Sequence, residues 1–551
     1  MQNVPRQFEG ISISDARKRV LAALKAQELL RGEKTIEHQV GHCYKCNTII
    51  EPMLKEQWFI RMESLAQDAI QALNDNRITF HPASKKKALV HYLEGLKDWN
   101  LSRQIPWGIP IPAFQNVRDT NDWIFDERVD ERTITVDGKT YSREEDTFDT
   151  WFSSAQWPFI TTDQQTNGEF ARFYPNSVLE TGHDILFPWV SRMIMMGLKV
   201  TGEVPFKDVY LHGLVLDKHG VKMSKSKGNV INPLELLSEY GSDALRLGLL
   251  VSRSAGQDQA FSDSKVIAGR NFCNKLWNVA RFIEDKLDDE YQMKTPITKT
   301  LADHWIVREL NTAASNLQSH VTAYRFAEAA ETVYHSLWSN VADWYIEASK
   351  SQHDPDMLAW VLDTTLRITH PFAPFVTETI WQTVPWCSGQ LISMNWPEPL
   401  EYDEIAAAEF GRVQKLVSEI RFVASEMPGN DSFDLLYGTD SLIEENSDLI
   451  ASLARLKNIT HTDQPRGVRL ANSGREAWLD IDQKTLDDHL SNLEVRLAQE
   501  HQQAGRLKNR LASENYITKA PQALVDESKA ELAALEERIV RLQAELESLH
   551  N

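Results

Sequence analysis

Apolar and polar positions follow two different periods along this chain, and the changes of period divide it into segments. Over residues 14–31, SDARKRVLAALKAQELLR, apolar side chains recur at helical spacing and the run stops before Gly32, which predicts one amphipathic helix. A second helical stretch is predicted after Trp58. Beyond Trp99 the apolar runs are short and broken by Pro and Gly, and TITVDGKTYS, centred on Asp137-Gly138, predicts a β-hairpin with a two-residue turn. Residues 177–200 give the short run SVLETG and then a long apolar helix, DILFPWVSRMIMMGLKV. The run VYLHGLVL, Val209 to Leu216, is rich in β-branched and aromatic residues and reads as a buried strand. Strand, helix and strand in this order predict part of a parallel sheet whose ligand-facing edge lies at the strand ends.

From about residue 265 to 425 the pattern is nearly all helical. Phe326, Ala330, Val333, Leu337, Val341 and Trp344 fall on one face, as a helix inside a bundle requires. In HPFAPF, Pro371 and Pro374 stop one helix and position the next. Residues 427–478 are mixed and polar and read as a connecting segment or a small subdomain. The last stretch is clearer. Leu486, Leu490, Leu493, Leu497, Ala504, Leu507 and Leu511 keep a three-four spacing, and Leu532, Leu535, Ile539, Leu542, Leu546 and Leu549 repeat it. ASENYITKAP interrupts the two, so the segment is expected to fold back as an antiparallel coiled-coil hairpin; a dimerisation zipper is the other reading. Arg496, Arg506, Lys508, Arg510 and Lys519 make the first helix and tip basic while the second helix is mainly acidic, which suits an arm that grips a nucleic-acid backbone.

A length of 551 residues exceeds what one core supports, so three or more packed units are expected. With 42% hydrophobic and 25% charged residues the composition is that of a soluble globular protein. No run approaches the roughly 20 apolar residues of a membrane span, and the start, MQNVPRQFEG, lacks the basic and apolar regions of a signal peptide. The expectation is a cytoplasmic protein with no membrane partner. Four cysteines, Cys43, Cys46, Cys273 and Cys387, are too few and too uneven for a disulfide framework. A net charge of −20 argues against a protein that coats nucleic acid nonspecifically, yet leaves room for local basic clusters to meet a phosphate backbone.

The sharpest chemical feature is Lys222-Met223-Ser224-Lys225-Ser226, followed by Lys227-Gly228-Asn229 and preceded by the turn Asp217-Lys218-His219-Gly220. Ammoniums, small hydroxyls and flanking glycines make a mobile loop that can wrap a polyphosphate. Such a loop stabilises charge developing on a departing pyrophosphate. Taken alone, a basic run of this kind also describes a solvated surface turn. The absence of GxxxxGK[ST], GxGxxG and His-Glu-x-x-His removes P-loop triphosphatase, dehydrogenase and zinc-protease readings.

The context decides between these readings. VYLHGLVLDKHGVKMSKSKGNVINPLELLSEYGSDALR resembles the segment around the second signature, KMSKS, of the class I aminoacyl-tRNA synthetases. That resemblance implies the second half of a Rossmann-like catalytic domain, a helical-bundle anticodon-binding domain and ATP, with Mg2+, as a substrate. Lys222 and Lys225 would contact the ATP phosphates and the departing pyrophosphate, and Met223, Ser224 and Ser226 would be ATP-binding. Gly182 and Asp184, in ETGHDIL, match the positions where the family holds the ATP ribose, and His212, Gly213, Leu214 and Val215 match the strand that lies against the adenine. VGHCYKCNTIIEPMLKEQWFIRM, DWNLSRQIPWGIPIPAF, DTFDTWFSSAQWPF, GRNFCNKLWNVARF and HPFAPFVTETIWQ are similar to the branch of that family that charges tRNA(Val) with valine, more than to the isoleucine or leucine branches. The terminal hairpin with YITKAP is similar to that branch's tRNA arm. Residues matching Trp151, Ile185 and Trp189 would shape an apolar slot for valine; without the family context both Trp residues also read as ordinary core aromatics.

Cys43-Tyr44-Lys45-Cys46 has the spacing of a zinc half-site, with His42 adjacent. A structural zinc needs four ligands, and the further cysteines that valine-type enzymes often carry between the segments matching Ala113 and Asp149 are missing here. A knuckle held by hydrogen bonds is therefore favoured over a bound metal. The family's first signature, His-Ile-Gly-His or a variant, is also not found among the 16 histidines. By the family's order it would lie ahead of Met1, together with most of the editing pocket. Residues 1–95 are then expected to be the end of the editing insertion and its return segment, and 96–262 the second catalytic half with the KMSKS loop. Residues 263–426 would form the anticodon-binding bundle, 427–480 a linker or small subdomain, and 481–551 the arm. The chain is expected to be inactive alone in adenylate formation and, as a fragment or a separately encoded half, to regain activity with the missing half. The rival expectations are a non-catalytic tRNA binder and an isoleucine-type synthetase fragment.

Overall fold

The computed structural model describes residues 5–43, 46–50, 54–162, 168–251, 255–288, 290–350, 354–427, 433–470, 472–513, 516 and 522–550. The chain falls into two compact units, one formed by 1–60 with 98–149 and the other by 61–97 with 150–551.

In the first unit the helix Ile13–Ala26 begins where the Ser12 hydroxyl accepts a hydrogen bond from the Asp15 amide. It ends short of the predicted Arg31, because Glu28 takes a positive φ of 55° and leaves the right-handed helical region. The strands Trp123–Phe125, Ala113–Asn116, Lys139–Arg143 and Thr133–Val136 lie in that order in one antiparallel sheet over a core of Phe114, Ile134 and Tyr141. Its predicted hairpin is present: Val136 pairs with Lys139, and Asp137 (φ 49°) and Gly138 (φ 76°) form the two-residue turn. Positive φ at both central residues matches the twist of the flanking strands.

In the second unit a three-stranded parallel sheet is built from β1 (Thr79–His81), β2 (Asn176–Gly182) and β3 (Phe206–His212), in the order β2-β3-β1. Helices α1 (Glu63–Asn74) and α2 (Ser84–Glu94) flank β1, and α3 (Ser191–Thr201) crosses from β2 to β3. β1 belongs to the parallel sheet, whereas 98–149 packs with the chain's beginning. Three residues of strand are too short to show a period, which is why the pattern did not reveal β1. The long apolar helix after β2 opens with a 3-10 turn, His183–Ile185, and a π-helical stretch, Leu186–Val190, that contains Pro188. Proline has no amide to give to a regular ladder, so the backbone widens there before α3 begins.

The strand expected over Val209 to Leu216 is interrupted. β3 ends at His212, and a separate short strand, β4 (Val215–Leu216), pairs in parallel with β5 (Gln259–Ala260). Gly213 marks the break, since a Cβ there would collide with the carbonyl oxygen of Gln257.

Helices α4 (Ser242–Leu250), α5 (Asp263–Glu284), α6 (Leu301–Thr322), α7 (Pro355–Thr369), α8 (Pro374–Trp381) and α9 (Glu404–Glu426) surround one continuous apolar core. Ala330, Val333, Leu337 and Val341 of the predicted stripe are buried in it. Pro374 occupies the first turn of α8, whose free amides at Phe375 and Val376 donate to the buried carboxylate of Asp243 on α4. Arg246, one turn on, donates to the carbonyls of Pro371 and Phe372. These four bonds fasten the end of the sheet region to the bundle.

Residues 434–480, expected as a linker or small subdomain, form a four-stranded sheet with two short helices, and Leu435, Ile450 and Leu479 join the bundle's core. Two helices close the chain, α10 (Gln483–Ala512) and α11 (Gln522–His550). They run in opposite directions, since Lys508 meets Glu536 while Glu500 meets Arg538. Ala504, Leu507, Leu535 and Ile539 are buried between them with Leu497 and Leu532 alongside. Lys519 and the Leu549 side chain lie outside the described residues.

Candidate active site

The carboxyl ends of β2 and β3 point the same way and carry the predicted nucleotide residues. Gly182 pairs with His212 in the sheet register, so the two segments stand side by side. A Cβ on Gly182 would meet the Asp184 carboxylate at 2.8 Å and the His212 ring at 3.6 Å. His212 is held by its own neighbours, with Nδ1 2.8 Å from the Gly213 carbonyl and Nε2 3.2 Å from Glu180. Beyond it, Leu214 and Val215 lead into β4.

The lysine-rich loop follows β4 and is shaped by one acid and one amide. Asp217 accepts from the amides of His219 and Val221 through one oxygen and from the Asn229 side chain through the other. The Asn229 bond and the Val221 amide hold the Asp217 carboxyl below the ordinary carboxylate range. Asn229 in turn accepts from the Ser224 amide at 2.9 Å, closing the loop on itself. Leu216 and Lys222 face each other across an antiparallel bridge, which sends the Lys222 side chain back toward the strand ends. There its ammonium lies 2.8 Å from Oδ2 of Asp184. That bond is the main reason the Asp184 carboxyl titrates low and the Lys222 ammonium high. The lysine is 63% and the acid 33% exposed, so the pair is within reach of water and of a competing anion. Met223 and Ser224 are half-buried, while Lys225 and Lys227, on the 3-10 turn that Gly228 ends at φ 67°, are exposed. The Ser226 side chain lies outside the described residues.

The three apolar-slot residues sit on two segments that pack together. Trp151 is in the short helix Thr150–Ser154, Ile185 closes the 3-10 turn and Trp189 lies in the π-helical stretch. The Trp189 indole donates to the Ser154 carbonyl at 3.2 Å, tying one segment to the other. Both tryptophans are half-buried.

Elsewhere, Cys46 is exposed and its Sγ lies 3.2 Å from the Thr48 hydroxyl, and hydrogen bonding with Thr48 lowers its thiol pKa. Tyr44 and Lys45 of the knuckle lie outside the described residues, and no cluster of three metal-ligating side chains occurs among the described ones. On the arm, Arg496, Arg506, Lys508 and Arg510 are exposed along α10; Lys508 is 2.8 Å from Glu536, and the Arg510 guanidinium lies 4.5 Å over the Tyr516 ring. No helix among the described residues is long and apolar enough to cross a membrane.

Sequence reasoning missed Asp258 and His183. Asp258 sits in the polar stretch SAGQDQAFS, where nothing in the spacing distinguishes it. In the structure its Oδ1 is 2.7 Å from the Leu214 amide and 2.7 Å from His183 Nε2.

A parallel-sheet edge carrying a cationic loop, a carboxylate and a glycine-thin strand is the arrangement found at nucleotide sites of open α/β sheets. Residues 11–262 match the family model for tRNA synthetases class I (I, L, M and V), 303–430 the anticodon-binding domain of tRNA ligase, and 486–550 the valyl tRNA synthetase tRNA binding arm. Successive parts of the chain thus match the models of class I tRNA synthetases and their tRNA-binding domains. The relatives it resembles are valine–tRNA ligases. It is 37% identical to that of Petrotoga mobilis over 98% of this chain and 65% of the relative, and 34% identical to that of Thermotoga maritima over 98% and 64%. The enzyme of Treponema denticola is 34% identical over 99% and 64%. The chain thus spans 64–65% of the length of these three curated relatives.

Proposed function

We propose that this chain supplies the phosphate loop and the tRNA-binding parts of a valine–tRNA ligase, which joins valine to tRNA(Val) through valyl-adenylate at the expense of ATP. The observation that carries the reading is the Lys222 ammonium folded back to 2.8 Å from Asp184, because it places the loop's positive charge at the ends of β2 and β3. In this reading Gly182 and Asp184 hold the ribose, and His212 to Val215 lie along the adenine. Lys222 and Lys225 neutralise the charge that accumulates on pyrophosphate as the valine carboxylate attacks the α-phosphorus. Mg2+ accompanies ATP as part of the substrate. Trp151, Ile185 and Trp189 provide apolar walls, which suit valine but discriminate one methyl by only about 1–3 kcal/mol.

The division of labour follows the sequence. Residues 96–262 serve the nucleotide, now joined by the β1 segment; 263–426 serve the anticodon end; and α10 with α11, read as an antiparallel coiled coil, grip the tRNA backbone. The same composition supports a cytoplasmic setting. Without an HxGH segment, this chain alone lacks the histidines that act at the α-phosphate, so activity requires a chain or segment that carries them. Supplying that half and measuring valine-dependent ATP–pyrophosphate exchange tests the proposal. Exchange that appears with the wild-type chain and is lost with Lys225→Ala supports it. Tight tRNA binding with no exchange favours a non-catalytic tRNA binder instead, a reading supported by the missing signature. An isoleucine-type enzyme has less support, since it would leave the likeness of residues 486–550 to the valyl arm without a role.

A further inference from the structure

One carboxylate oxygen joins the two strand ends of the nucleotide site. Oδ1 of Asp258 accepts from the Leu214 amide at 2.7 Å and from Nε2 of His183 at 2.7 Å. His183 directly follows Gly182 at the end of β2, and Leu214 follows Gly213 at the end of β3. The surrounding chain reinforces this link. The Gln259 amide donates to the Leu214 carbonyl at 3.0 Å and the Phe261 amide to the Leu216 carbonyl at 2.9 Å. The Gln257 carbonyl fills the space that a side chain at Gly213 would need, and Gly256, at φ +76°, faces Pro82 and Lys85 just after β1. Residues 256–261 therefore form a splint along 213–216, with Asp258 as the point where it also holds β2. The Leu214 amide is the principal reason this carboxyl is held below its ordinary range, and His183 adds to it.

We propose that Asp258 is a positioning residue: through His183 and Leu214 it fixes the ribose-side turn after β2 and the adenine-side strand after β3 as one rigid pair, so that a nucleoside is gripped by both at once. This rests on the nucleotide reading above. Its consequence is selective. Asp258 acts on the nucleoside part of the ligand, whereas Lys222 acts on the phosphates beyond it. Loss of Asp258 should weaken AMP and ATP alike, and loss of Lys222 should weaken ATP while sparing AMP.

The test uses the full chain, with AMP and Mg2+–ATP titrated separately by calorimetry and a thermal melt of each variant. Asp258→Ala is expected to weaken both ligands about tenfold or more, as the loss of charge-assisted bonds to a site implies. Asp258→Asn keeps an oxygen that can accept both bonds and should restore affinity to within about threefold of wild type. Lys222→Ala should reduce ATP affinity without weakening AMP. As a second readout, the Leu214 amide should exchange with solvent faster in Asp258→Ala than in wild type, with or without ligand. Wild-type AMP affinity in Asp258→Ala, an unaltered Leu214 exchange rate, or an Asn variant as weak as the Ala variant overturns the positioning role. The nucleotide reading then still stands if Lys222→Ala behaves as stated. A wild-type chain that binds neither ligand overturns both.

Discussion

The Lys222 ammonium stands 2.8 Å from the Asp184 carboxylate, so the loop that leaves β4 is pinned by charge to the turn that leaves β2. Both groups are open to water, so under the proposed function the contact is one that a nucleotide would displace, its triphosphate competing for the lysine and its ribose hydroxyls for the acid. The loop is thereby held against the ends of β2 and β3.

That pairing has a pH signature. A carboxyl whose pKa is lowered in the folded state contributes stability above its ordinary value of about 3.9, and loses it as pH falls through the lowered value. A raised ammonium pKa contributes below the ordinary value of about 10.4 and is lost only as pH rises through the raised one. The Lys222–Asp184 bond should thus hold across the whole interval between these limits. The carboxyl carbon of Asp184, followed by NMR, should titrate low in wild type and move up toward the ordinary value in Lys222→Ala. An unshifted midpoint in the wild-type chain would remove the bond from consideration.

Two glycines in the site should respond very differently to alanine. At Gly213 a Cβ collides with the Gln257 carbonyl, and the backbone there has nowhere to go, so Gly213→Ala should destabilise the unit by about 1–3 kcal/mol and dislodge the splint. At Gly228 the space is open and only the positive φ of 67° is at issue, which predicts a loss of about 1 kcal/mol or less. Denaturant unfolding of the two variants side by side decides the matter; equal losses would contradict it.

The thiols should react in a definite order. Cys46 is exposed, and its bond to Thr48 favours the thiolate, while burial pushes Cys273 up to about 12. Because the thiolate is the reactive form, iodoacetamide at mildly alkaline pH should label Cys46 first and Cys273 last. Peptide mapping with time gives the order directly, and early labelling of Cys273 would refute the burial argument.

Removal of residues 486–551 should weaken tRNA binding while leaving pyrophosphate exchange in a completed enzyme intact. Arg506→Ala, a milder change on an exposed site, should reduce the slope of log affinity against log salt by about 1. If truncation abolishes exchange and tRNA binding equally, the arm is a structural element of the catalytic unit.

Much of this protein was legible in its sequence because the relevant signals are local. The hairpin at Asp137-Gly138 follows from a turn that needs positive φ at both positions, and the helices that end the chain follow from leucines spaced to meet across a seam. The lysine loop announced itself because charge, hydroxyl and glycine lie within a few residues. The β1 strand did not, since three residues carry no measurable period, and for the same reason the 434–480 segment read only as a linker or small subdomain, without its strands. Nor could spacing reveal Asp258, which lies far along the chain from the His183 it touches.

Residue order alone therefore fixed which groups are available: two loop lysines, a Gly-x-Asp turn, an apolar strand interrupted by glycine and two closing helices. Only folding decided their partners. Bringing Lys222 onto Asp184, Asp258 onto His183 and Leu214, and Gly213 under Gln257 depends on a parallel sheet that gathers distant strand ends on one edge. A hydrogen bond or an ion pair acts over a few ångströms of space, and distance along the chain says nothing about which groups will share it.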